Sequence, residues 1–256
     1  MTRRRIRIDL AYDGTDFAGW QWQERQCTVQ GTVEAALTRL AGDVPVRLRA
    51  AGRTDSGVHA RQQVADCQID CRLDDAGLAH ALGKMLPEDV RPLRVRTVPP
   101  EFDSMRHALR KSYRYRLDRT AHGNPLVARY AVHHPHAFDE ERVRRALALL
   151  VGRRDWSGFA DSRCRIDNRV RELSEATYIA GDEDDAGWFG FTADGFLTYM
   201  VRNMVGTLLE IAGGRMRIEI IERILETGDR RLGAATAPAK GLCLWRVVYS
   251  ETNEAS

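Results

Sequence analysis

Ile6, Ile8, Leu10 and Tyr12 alternate with charged or small residues, and this period of two predicts a strand over residues 6–12. The period then changes. Val29, Val33, Ala36, Leu37 and Leu40 follow helical spacing and predict a helix over 28–42, with Thr28 as N-cap and Gly42 as stop. Alternation returns in VPVRLRA, 44–50, and in QQVADCQI, 62–69, each read as a strand. Leu78, Leu82, Met85 and Leu86 mark one face of a helix over 74–87, ended by Pro87, and LRVRTV, 93–98, is a strand. The first half therefore reads β-α-β-β-α-β.

The second half repeats much of that order. Tyr113, Tyr115 and Leu117 alternate with Arg114 and Arg116 in a strand over 112–118. An amphipathic helix over 139–152 is capped by Asp139, and 170–179 with 188–193 reads as a strand pair. A long, almost wholly apolar helix over 196–214, a short one over 219–226 and a closing strand over 241–249 complete the chain. Two split β-α-β plans define an α+β fold of two ferredoxin-like halves, 1–104 and 105–256. No direct sequence repeat is evident. Halves meeting through their sheets would leave a cleft, a common place for a site.

Composition changes this picture only through placement. Among 256 residues, 39 Lys and Arg oppose 36 Asp and Glu, for a net charge of +3. That excess is too small to define a polyanionic partner. The basic residues are nevertheless grouped in MTRRRIR, in RHALRKSYRYRLDR (106–119) and in RRDWSGFADSRCRIDNRVR (153–171). Aromatics interleaved with Arg and Lys suit phosphate contact plus base stacking, although a solvated surface explains any one run. Five cysteines without a CxxC pair point to a reduced, cytosolic protein and give no zinc site. No secretory leader and no membrane-spanning stretch is evident. HHPH, with His133, His134 and His136, lacks the spacing of a metal site, and no dinucleotide or phosphate-loop glycine pattern occurs.

Three residues carry candidate chemistry. Asp55 stands between Gly52 and Gly57 in GRTDSGVHA, where it either shapes a turn or serves as an ionised nucleophile beside Arg53. Ser56 and His59 make no hydrolytic triad there. Arg202 sits on the apolar helix, one turn before Gly206, so it either snorkels outward or pairs with a carboxylate such as Asp55. Tyr113 is either a core aromatic or a stacking surface for a base.

At these residues the chain resembles the tRNA pseudouridine synthase A family. YDGTDFAGWQWQ followed by TVQGTVEAAL, AAGRTDSGVHARQQVA, MVRNMVGTLLEIAGGR and APAKGLCLWRVVY are similar to its sequence blocks, in order, from about residue 6 to 249. The resemblance implies halves that share a continuous, mainly antiparallel sheet with helices on one side and a central basic cleft. It implies a cytoplasmic homodimer that isomerises uridine to pseudouridine in the tRNA anticodon arm (positions 38–40), without cofactor or metal. By motif position Asp55 is the nucleophile, Arg202 its partner, Arg53 the wedge that fills the place of the flipped nucleotide, Tyr113 the stacking residue and Leu242 part of the pocket lining. Phe102, Arg106, Arg163 and Arg165 fall in segments that would touch RNA. Two of those segments depart from the family pattern, at Phe102-Asp103-Ser104-Met105 and at Phe159-Ala160-Asp161-Ser162-Arg163-Cys164-Arg165. These departures bear on which uridines and tRNAs are used. A tRNA-binding or folding protein without catalysis is the alternative expectation.

Overall fold

Strand β1, Arg3–Tyr12, pairs antiparallel with β3, His59–Asp70, on one side and with β4, Val90–Val98, on the other. This arrangement comes from a computed structural model that describes residues 3–182 and 186–250. Two compact units are present. Residues up to Leu109 join those from Leu244 onward in one, and Arg110–Cys243 form the other. The expected division at 104/105 is thus displaced, because the chain's last described residues return to the first unit. Leu109 N–H donates to the Val248 carbonyl, and Tyr249 packs on Phe102 and donates its hydroxyl to the Ser104 carbonyl at 2.6 Å.

The first unit has the strand order β4-β1-β3, with short β2, Arg49–Ala50, also on β3. This is the order of a split β-α-β fold, with α1, Val29–Leu40, and α2, Asp75–Met85, as its crossovers. Thr28 caps α1 and Asp74 caps α2, each accepting from a backbone N–H three residues on. Ile6, Ile8 and Leu10 are fully buried, as the alternation predicts. The opposite face of β1 departs from it, since Arg7 and Asp9 are also buried. Arg7 forms a fork with Asp9 at 2.6 and 3.0 Å and lies over the Tyr249 ring at 4.5 Å. Asp66 accepts from Arg5, Arg49 and the Ser104 N–H. The Asp9 and Asp66 carboxylates tolerate burial there because their partners are supplied, whereas Arg7 Nη1 and Arg5 Nε are buried without a hydrogen bond.

The expected strand over 44–50 shrinks to Arg49–Ala50. Its alternation is real, with Val46 and Leu48 buried, but α1 supplies the partners. Val46 N–H donates to Thr38 Oγ1 and Leu48 N–H to Glu34 Oε1. Side chains of a helix thus satisfy amides that a ladder would otherwise take.

In the second unit β5, Arg110–Asp118, lies beside β9, Gly187–Ala193, then β8, Val170–Ile179, then β7, Gly152–Asp155, all antiparallel. Two-residue β6, Val132–His133, pairs in parallel with β5. β6 and β7 escape the sequence pattern because they are short and polar. Helix α3, Glu140–Leu150, has the expected Asp139 cap and buries Val143, Ala146, Leu147 and Leu150. Helix α4, Met200–Ala212, is shorter than predicted, and α5 spans Ile220–Thr227. Tyr199 adopts φ +60° and sets the start of α4 at Met200, so 196–199 is not helical. Strand β10, Leu242–Val248, begins with the last two residues of this unit and runs beside β3 once it enters the first. Among the described residues no helix is long and apolar enough to cross a membrane.

Candidate active site

Asp55 lies on the loop from β2 to β3, and the loop is held mainly through its backbone. Trp20 N–H donates to the Thr54 carbonyl at 3.0 Å, and Gly57 N–H to the Phe17 carbonyl at 3.3 Å. Gln63 Nε2 reaches the Gly52 carbonyl at 2.8 Å, and the Tyr12 and Thr54 hydroxyls bond at 2.8 Å. Val58 N–H donates to the Asp55 carbonyl at 3.1 Å. The turn is therefore closed by main chain. Asp55 itself is half-buried, Thr54 buried and Arg53 exposed.

The glycines of YDGTDFAGW explain how residues 12–20 reach this loop. A Cβ on Gly14 would stand 2.0 Å from the Val58 carbonyl oxygen, and one on Gly19 would stand 2.7 Å from that of Thr54. Either would push the two segments apart. Gly14 N–H also donates to His59 Nδ1 at 3.1 Å. The loop sequence and the N-terminal block are thus one structural piece.

Arg202 is anchored within the second unit. Its Nε donates to the Ala237 carbonyl at 2.8 Å, and Ala237 N–H donates back to the Arg202 carbonyl at 3.1 Å. The guanidinium lies over the Tyr199 ring at 4.8 Å. Arg202 is half-buried rather than extended into solvent.

Sequence reasoning passed over the neighbours that hold this helix face. Asn203 donates to the Phe159 carbonyl at 2.8 Å and accepts from Thr236 and Arg230 at 2.7 and 2.9 Å. Burial lowers the Arg230 pKa, while Asp161 opposes that shift. Gly206 permits close approach, as expected: a Cβ there would meet the Ala235 carbonyl oxygen at 2.0 Å. An asparagine inside an apolar helix was the available signal, because a buried amide requires partners.

The two tyrosines of YRY differ. Tyr113 is 7% exposed and meets Phe196 edge-on, ring centres 5.0 Å apart. Tyr115 is fully buried and donates to the Pro238 carbonyl at 2.9 Å, and burial raises its pKa. Leu242, at the start of β10, is 5% exposed.

The four residues expected to touch RNA divide. Arg106, Arg163 and Arg165 are exposed and can meet a polyanion. Phe102 is 1% exposed, between Tyr249 and His107, and so is corrected to a core residue. Its neighbour Asp103 is pushed up by burial, but N–H bonds from Arg106 and Met105 and the Arg49 charge leave its pKa lowered overall. Among the described residues no cluster of His, Cys, Asp and Glu is placed to hold a metal ion.

A braced aspartate loop and exposed arginines on an α+β frame suit an enzyme of RNA, and comparison with known proteins supplies the family. A family model described as tRNA pseudouridine synthase matches residues 10–106 and 146–250. The chain is 39% identical over 246 residues to tRNA pseudouridine synthase A of Latilactobacillus sakei subsp. sakei (strain 23K), covering 96% of this chain and 99% of that one. It is 40% identical over 247 residues, with the same coverage, to the protein of that name from Streptococcus mutans serotype c (strain ATCC 700610 / UA159). The chain belongs to the tRNA pseudouridine synthase family. It is accordingly an isomerase that acts on uridine in tRNA. A solved structure titled "Crystal Structure of a Cbf5-Nop10-Gar1 Complex" aligns at a TM-score of 0.37 and 10% identity, over 96% of this chain and 58% of that one. That likeness is too distant to carry any argument.

Proposed function

We propose that this isomerase converts uridines of the tRNA anticodon arm, with Asp55 as its nucleophile. The observation that carries this reading is the Asp55 loop, whose main chain is pinned on both sides of a half-buried carboxylate. Asp55, Arg53, Arg202 and Leu242 all fall within the matched segments, whereas Tyr113 lies between them.

The reaction breaks the C1′–N1 bond, turns the uracil and joins C5 to C1′, after which the C5 proton leaves and N1 gains one. The target base first leaves its stack, which costs a few kcal/mol and is offset by pocket contacts. In this reading Tyr113 stacks on the uracil, Leu242 lines the pocket and exposed Arg53 fills the vacated place. Arg202 keeps Asp55 ionised and oriented, since an opposite charge favours the charged carboxylate. One acid is sufficient because the leaving base is recaptured, unlike the two acids of a glycosidase. Arg106, Arg163 and Arg165 contact phosphates. The enzyme works as a cytoplasmic homodimer, as the family resemblance implies, and sedimentation would check the dimer.

Mapping pseudouridine in tRNA with and without the protein tests the reaction and the positions together. Asp55→Asn should fold and bind tRNA yet release no tritium from uridine labelled at C5. Full release by that variant would remove Asp55 from the chemistry, and product outside the anticodon arm would remove the proposed substrate region.

A further inference from the structure

Lys111 precedes Tyr113 by two residues on β5, so both side chains project to the same face of the strand, about 7 Å apart along it. Lys111 is paired with Ala193 of β9, and Ala193 with Leu173 of β8. Directly paired residues share a face, and alternation puts Arg171, two before Leu173, on that face as well. The open end of these three strands thus brings two cations together beside Tyr113.

Local packing shows how the pair is accommodated. A Cβ on Gly195 would lie 3.0 Å from Arg171 Nε, so glycine there lets the guanidinium cross the end of β9. The next residue, Phe196, packs against Tyr113. Arg171 is steadied by its own Nη1, which donates to the Asn168 and Val170 carbonyls at 2.9 and 2.6 Å. The opposing charge near Lys111 is Asp194, whose Oδ1 already accepts from Glu172 N–H at 3.0 Å. Among the described residues the Lys111 ammonium has no hydrogen-bond or ion-pair partner. Burial first, and then Arg171, push its pKa down to about 8, with Asp194 opposing.

We propose that Lys111 and Arg171 form a phosphate-binding pair for the tRNA backbone next to the nucleotide stacked on Tyr113. Bringing two cations together on a partly buried face is unfavourable in the free protein, and a phosphate at that point relieves the repulsion and gives the Lys111 ammonium an acceptor. The inference rests on the stacking role given to Tyr113 above.

The test measures affinity for unmodified tRNA across salt and pH in the wild type, Lys111→Met and Lys111→Arg. Loss of one phosphate contact should weaken Lys111→Met about tenfold and reduce its salt slope by about 0.7–0.9. Wild-type affinity should fall as pH rises past about 8, where the amine loses its proton, while Lys111→Arg keeps its affinity. An unchanged salt slope in a folded Lys111→Met overturns the proposal. Should that variant not fold, a wild-type pH profile as flat as that of Lys111→Arg overturns it instead. Pseudouridine scored in the wild-type samples separates the two readings. Absence of product sinks the catalytic reading, whereas product with unaltered Lys111 variants sinks only the phosphate pair.

Discussion

The Arg202 guanidinium lies 4.8 Å from the centre of the Tyr199 ring, and Tyr199 is the non-glycine residue at φ +60° that begins α4. Left-handed backbone costs such a residue about 1–2 kcal/mol. The cost is offset by a ring that faces the arginine. Tyr199→Leu keeps the backbone demand and removes the ring, so turnover should fall about 3–10-fold, the equivalent of a cation–π contact. KM should hardly move, and Tyr199→Phe should retain turnover. Steady-state kinetics of the two variants with melting temperatures checks this, and an equal loss in both would reject a role for the ring face.

Arg202→Met separates activity from folding. It leaves the Ala237 carbonyl without the Nε donor, a cost of about 1 kcal/mol. Under the role proposed for Arg202, loss of its charge should reduce turnover by a factor of about 100 or more. Denaturant unfolding and tritium release would be measured on the same preparation, and near-normal turnover would exclude Arg202 from the chemistry.

Gly14→Ala should disturb the site through the backbone. The new Cβ would fall 2.0 Å from the Val58 carbonyl oxygen, and Val58 N–H closes the Asp55 turn. Overpacking of this kind costs about 1–3 kcal/mol, and turnover should fall with it. Gly42→Ala is the control, because Gly42 has φ +68° with nothing near its Cβ position. It should lose stability but no turnover per folded molecule.

Acid should destabilise the protein through His134. Burial, followed by His136, Arg119 and Arg215, lowers its pKa from 6.5, with Glu210 opposing, and its Nε2 is buried without a partner. The unfolded chain takes up the proton more readily than the folded one. Stability is therefore complete above about pH 6.5 and declines as pH falls through the lowered folded value. His134→Leu should flatten the melting temperature measured from about pH 7.5 to pH 5 relative to wild type. Parallel profiles would assign the acid response to other groups.

The sequence exposed the elements whose partners are regular and hid those whose partners are not. β8 spans Val170–Ile179, the bounds expected for the first strand of its pair, and the Thr28, Asp74 and Asp139 caps follow local chemistry. Val46 and Leu48 misled because alternation reports a buried face without saying that Thr38 and Glu34 of a helix take the amides. For the site, the GRTD and MVRN motifs were visible, yet Tyr199 showed no sign of its left-handed backbone. Arg171 gave no sign of Lys111 either, since sixty positions separate them and only strand register joins them.

Trp20, Phe17 and Gly14 grip a loop that lies about forty residues further along the chain. Asp55 is therefore set in place by contacts with a distant segment as well as by its own Val58 turn, and the distant contacts are rewarded only after the loop between them has closed. Activity during refolding should then appear no earlier than the protection of the Trp20 amide from hydrogen exchange, which makes that amide a clock for maturation of the enzyme.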